Sequence, residues 1–181
     1  MLEELIVQYA APTLAGLKTG SLFNVPCESE RRLENDVKSL NRRLKKKNLR
    51  LYLMKIIRGR ALLYLVQLQK LKADLSCAKA KRILSERGYR CDRVGMCIER
   101  LYEKLNADED FPHEAGLFLG FPVDDVIGFL ENRPCIFAGA WKVYGNCEQA
   151  LKIFESFRQC TEEMKNSFSD GVPLEELAVA I

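Results

Sequence analysis

The chain has 181 residues, 48% of them apolar, with 28 Lys and Arg against 25 Asp and Glu, a length that supports one substantial core and is short for two. Seven Cys, an odd number with no CxxC pair, argue against a secreted disulfide framework, and no apolar run free of Gly, Pro or charge reaches the roughly 20 residues that span a bilayer. The expectation is a single domain over 1–181, without a membrane span and, because MLEELIVQYAAPTLAG lacks a leader pattern, in the reducing cytoplasm.

Leu2, Leu5, Ile6 and Tyr9 fall on one helical face, so a short amphipathic helix opens the chain and stops near Pro12. Thr13 caps a second brief turn, and Ser21–Val25 reads as a strand closed by Pro26. Over Glu28–Lys46, Leu33, Val37, Leu40 and Leu44 recur at steps of four, three and four, one packed stripe on a charged helix. Leu49–Ile57 and Ala61–Gln67, joined by Arg58-Gly59-Arg60, predict a β-hairpin apolar on both faces and therefore covered on both.

Asp74 is the expected N-cap and Gly88 the expected terminator of the next helix. Val94, Cys97, Ile98, Leu101 and Leu105 mark another, ending in the acidic loop Asp108-Glu109-Asp110. Phe111–Asn132 then reads as two short helices, each opened by Phe-Pro, one residue and an acid, with proline at the first helical position. Ile136–Tyr144 is expected to be a strand with Trp141 inward and Lys142 outward, Gly145-Asn146 a turn, and Glu148–Phe168 a long helix before the Gly171-Val172-Pro173 break. The fold class is α+β: helices predominate around a small, mostly antiparallel sheet of three or four strands.

Charge is segregated. Residues 38–93 carry eighteen Lys/Arg against three acids, a net of +15, while residues 94–181 carry seven against sixteen, a net of −9. Within 38–60 there are ten basic residues and no acid. Arg42, Arg43, Lys46 and Lys47 are the candidates for an anionic partner, and Tyr52 and Tyr64 would let the same face stack RNA bases, although helix faces carrying such charges are more commonly only solvated. A helix-turn-helix reading of 112–132 fails, because Asp124, Asp125 and Glu131 would repel DNA.

His113, the only His in the chain, with Glu114 beside it, is the candidate for catalysis or for a metal or cofactor, using a Cys such as Cys27, Cys135 or Cys147 as third group. Ligand spacing supports neither chemistry, since the nearest Cys pair is Cys91 and Cys97. The plainer expectation is that His113 caps a backbone group or packs on Phe111, and no particular cofactor is implied. A ligand pocket between His113 and the Trp141 strand is the binding alternative.

The stretches APTLAGLKTGSLF from Ala11 to Phe23, FPHEAGLFLGFPVDDVIGFLEN and GAWKVYGN together resemble the family of domains of unknown function numbered 3793, found mainly in anaerobic Gram-positive bacteria. The likeness runs from about Ala11 to Cys160. It implies no activity or catalytic residue, but it gives weight to Lys18 in the Gly16/Gly20 bend as an anion-binding residue. It also associates the chain with flavodoxin-like and iron-acquisition proteins, so an acidic flavodoxin-like protein is the partner expected for the basic 38–60 face. The function expected is non-catalytic binding through Lys18, His113 and Trp141 or through the basic face; an enzyme or cofactor protein using His113 and Glu114, and RNA binding, are the alternatives.

Overall fold

In the computed structural model, which describes residues 2–90, 92–107 and 110–180, the hairpin expected between 49 and 67 is the centre of the molecule. β2 (Leu49–Ile57) and β3 (Arg60–Gln67) pair antiparallel across the two-residue turn Arg58-Gly59. Both turn residues have positive φ, +48° and +73°, the backbone that matches the twist of a tight hairpin. β1 (Gly20–Pro26) pairs antiparallel with the other side of β3, giving the order β1-β3-β2.

Alternation divides the sheet into two faces. Phe23, Val25, Leu49, Leu51, Leu63 and Leu65 point to one apolar core, covered by α1 (Leu2–Leu14), α2 (Glu30–Leu44), the far part of α8 (Cys147–Ser169) and α9 (Leu174–Leu177). Leu22, Tyr52, Leu62, Tyr64 and Val66 point to the other, covered by α3 (Leu68–Ser76), α4 (Ala78–Glu86), α5 (Val94–Asn106), α6 (Ala115–Phe118) and α7 (Val123–Leu130). The two-sided apolar character of the hairpin thus reflects helices on both faces.

β2 carries a bulge at Met54: Leu53 pairs with Leu63 and Lys55 with Leu62. Leu53 and Ile56 belong to the α1/α2 core, while Met54 fills the α3–α7 core. The Met54 carbonyl accepts from Asn106 Nδ2 at 2.7 Å, and Lys55 Nζ donates to the Leu105 carbonyl at 2.7 Å, so the bulge ties β2 to the end of α5. On the outer edge of β2, Asn41 of α2 meets the backbone of Leu51 with both amide atoms, each at 2.8 Å. One side chain there supplies the bonds a further strand would make.

Four expectations change. The first helix runs past Pro12 to Leu14, because a kink at Ala10 (φ −135°) starts a new helical segment in whose opening turn the missing proline donor is harmless. Asp74 lies inside α3 and accepts from Thr19 Oγ1 at 2.5 Å; the helix break is at Cys77, while Gly88, at φ +77°, ends α4 as expected. Proline precedes each short helix, as Pro122 caps α7 and Pro112 sits three residues before α6. Ile136–Tyr144 is two strands, β4 (Phe137–Ala138) and β5 (Lys142–Val143), folded as a small hairpin. The acidic residues Asp108 and Glu109 lie outside the described residues, as does Cys91.

α6 is fully buried against the sheet. Tyr64, itself fully buried, donates through its hydroxyl to the Phe118 carbonyl at 2.6 Å. A Cβ on Gly20 would stand 2.5 Å from that same carbonyl oxygen, so only glycine lets β1 pass here.

Candidate functional site

α6, the Leu119–Pro122 turn, α7 and the β4–β5 hairpin enclose a cavity of about 290 Å³. Its position follows from Asp125. In the α7 sequence this acid lies four residues from both Phe121 and Phe129, and so shares their inward face. The carboxylate is buried, and it accepts from Trp141 Nε1 at 2.8 Å and from the backbone amides of Tyr144 at 2.7 Å and Gly145 at 3.0 Å. These bonds fasten the hairpin over α7 and fix the indole as a wall. Gly128 allows the approach, since a Cβ there would meet the Tyr144 ring carbon at 2.5 Å.

The walls of the cavity are apolar: Phe121 and Trp141, with ring centroids 5.2 Å apart, then Phe129, Val126 and Leu119. His113 stands edge-on to Phe129 at 5.0 Å, with Phe111 on its other side at 6.5 Å. Lys142 lies over the Phe129 ring, 5.1 Å from its centroid. A small apolar space with one imidazole and one ammonium at its edge, its one lining carboxylate, Asp125, already taken up by three donors, suits a flat molecule carrying one negative group.

A second cavity, of about 280 Å³, adjoins the first and shares Leu119, Phe121 and Trp141 with it. Lys18, Thr19, Lys70 and Asp74 line it from the 15–19 loop and α3, and Ser156 and Phe157 line it from α8. Lys18 lies 5.5 Å from the Phe121 centroid, and burial lowers its pKa from 10.5 to about 8. Burial also raises the Asp74 carboxyl, against the opposing pull of the Thr19 hydrogen bond and of Lys70. Of the three residues expected to bind a ligand, the structure brings His113 and Trp141 to one cavity and Lys18 to the next, with the indole common to both.

Glu114 does not join His113. It is 4% exposed and is held by the Tyr89 hydroxyl at 2.9 Å, Lys104 at 3.3 Å and Arg87 at 3.7 Å. The Tyr89 hydroxyl is pushed well above its ordinary pKa, first by burial and then by Glu114. That carboxylate clamps α6 to the ends of α4 and α5, and it is absent from the lining of the cavity. Among the described residues no three His, Cys, Asp or Glu lie together as a metal site. Cys27, Cys147 and Cys160 are half-buried, Cys97 is buried, and Cys77 and Cys135 are exposed; burial raises the Cys160 thiol.

The basic segment is divided in its roles. Arg43 pairs with Glu3 and, at 3.6 Å, with Glu175, joining α2 to α1 and α9. Lys47 is half-buried, whereas Arg42 and Lys46 are exposed. Tyr64, one of the two tyrosines considered for base stacking, is fully buried and Tyr52 is stacked on it, so that use of the pair is excluded.

What sequence reasoning missed is Asp125, Phe129 and Lys142 as parts of the site. The available signal was an acid at four-residue spacing between two phenylalanines, a polar group placed on an apolar face. Among the described residues no helix is long and apolar enough to cross a membrane. Over residues 6–178 the chain matches the family described as protein of unknown function (DUF3793), and it belongs to that family. No curated protein and no solved structure matches it.

Proposed function

We propose that this DUF3793 protein is a non-catalytic binding protein whose ligand is a flat, largely apolar molecule with one anionic group, held in the His113–Trp141 cavity. The observation that carries this reading is the aromatic enclosure itself: Phe121, Phe129 and Trp141 around about 290 Å³, with the Lys142 ammonium at its edge. Aromatic walls supply most of the affinity by removing ring surface from water, and the ammonium selects the charge. His113, exposed and in contact with the rings of Phe111 and Phe129, adds a hydrogen-bond donor or acceptor.

Trp141 is the only tryptophan, so its emission reports on the cavity. Titration with anilinonaphthalene sulfonate, a flat anionic probe, is expected to quench that emission saturably at one site. Phe129→Ala and Lys142→Glu are expected to weaken binding about tenfold or more, roughly 1.4 kcal/mol, and Arg42→Glu with Lys46→Glu to leave it unchanged. The reverse pattern would reject the cavity as the site.

A second reading rests on the exposure of Arg42 and Lys46 in a segment of ten basic residues without an acid. That face suits docking of an acidic protein of flavodoxin-like charge. Such a complex would weaken steeply as ionic strength rises past the roughly 10 Å screening length at 0.1 M salt. Calorimetry at low salt showing no heat with an acidic flavodoxin would remove it.

A further inference from the structure

We propose that Lys18 is a nucleophilic amine that captures small apolar aldehydes as a Schiff base, in the cavity between the 15–19 loop, α3 and α8. Among the lysines that are at least partly buried, Lys104 meets Glu114 at 3.3 Å, Lys55 the Leu105 carbonyl at 2.7 Å and Lys70 the Gly16 carbonyl at 2.5 Å. Lys18 has no such partner among the described residues, and instead lies over the Phe121 ring. An amine taken out of water with nothing to balance its charge gives up its proton readily. Its pKa of about 8 reflects burial alone, and this is the condition that makes a lysine a nucleophile near neutral pH.

The rest of the cavity fits the same chemistry. Asp74, the single acid among its lining residues, is taken up by Thr19 Oγ1 at 2.5 Å. Lys70 is engaged with the Gly16 carbonyl at 2.5 Å. Phe121, Trp141 and Phe157 form apolar walls, so the aldehyde accepted is one with an uncharged, ring-sized body.

In the step itself, the Nζ lone pair bonds to the carbonyl carbon and the carbonyl π pair moves to oxygen. A proton passes from nitrogen to that oxygen, giving a carbinolamine. The nitrogen lone pair then expels the hydroxyl, which leaves as water with a proton supplied by solvent, and the remaining N–H proton passes to solvent. One C=N bond forms, one water is released, and no oxidant or reductant is consumed.

The test is reductive trapping near neutral pH with benzaldehyde and cyanoborohydride, followed by peptide mass mapping. Lys18 is expected to carry the benzyl group at least about tenfold faster than Lys46 or Lys152, because far more of its amine is neutral. Lys18→Arg is expected to abolish the fast label while leaving that of Lys152 unchanged, with Trp141 emission and thermal unfolding confirming the fold of the variant. Labelling of Lys18 at or below the rate of Lys46 would overturn the proposal. Phe129 and Lys142 do not line this cavity, so that failure is distinct from failure of the first site.

Discussion

The sheet with its covering helices and the hairpin that closes the cavity are held by different means. Tyr64 and Phe118 are fully buried, and cohesion around them comes from apolar surface removed from water and from one glycine that admits close backbone contact. Residues 131–140, which include β4, are all exposed, and Trp141 and Val143 are the buried side chains of the hairpin. That region depends on the three bonds to Asp125 and on aromatic contacts with α7 and α8. The first arrangement specifies a shape and leaves no room. The second fixes a few atoms and leaves a space beside them, which is what a binding site requires.

The largest effect is expected in the core: Phe118→Ala costs about 3–5 kcal/mol, read as a lower denaturant midpoint with an unchanged slope. Asp125→Ala leaves the Trp141, Tyr144 and Gly145 donors unpaired and costs on the order of 2–3 kcal/mol locally. Its signature is a red shift of Trp141 emission and faster amide exchange in 141–145, with the main unfolding transition displaced less than by Phe118→Ala. If both variants lowered the global transition equally, the two regions would be one cooperative unit and the contrast would fail.

Lys18→Met sharpens the boundary between the two cavities. The native pKa of Lys18 is about 8 and that of an unfolded lysine about 10.4. The unfolded chain therefore binds the proton more strongly, and the parent protein gains stability as pH rises from about 8 to about 10.4. The variant is expected to be more stable by on the order of 1 kcal/mol at pH 7, an advantage that shrinks across that window in thermal melts. A constant difference across pH would mean that the ammonium is not desolvated in solution. Smallest of all, Arg43→Ala is expected to cost about 0.5–1 kcal/mol through its pairs with Glu3 and Glu175, and Arg42→Ala about nothing; equal effects would show that Arg43 is not a tie between helices.

The elements with strong periodicity were legible from residues alone. Steps of three and four over Leu33–Leu44 and the two apolar runs around Gly59 gave α2, β2 and β3 close to their observed limits, because local pattern and burial agree there. The Ile136–Tyr144 stretch was read as one strand because its aromatic residues have strand propensity. Gly139, pressed so close to Phe154 that a Cβ would lie 2.3 Å from its ring, instead lies in the bend between two short strands. Asp74 leaves its expected cap, and Glu114 is drawn away from the cavity, for one common reason: their partners, Thr19 for one and Tyr89, Lys104 and Arg87 for the other, are brought by the fold and not by sequence spacing. The candidate cavity was half visible, as the suspicion of a space between His113 and the Trp141 strand, but its floor at Phe129 and its charge at Lys142 are long-range facts.

The bulge in β2 bears on how this chain tolerates length change. Met54 occupies the surplus position, and Lys55, Ile56 and Ile57 already oppose Leu62, Ala61 and Arg60 in sequence. Excision of residue 54 therefore leaves each remaining residue of the strand across from its present partner and on its present side, at the cost of one buried methionine and the anchor from Asn106. An indel at this point is silent to cross-strand register, whereas the same deletion a few residues earlier would turn leucines outward.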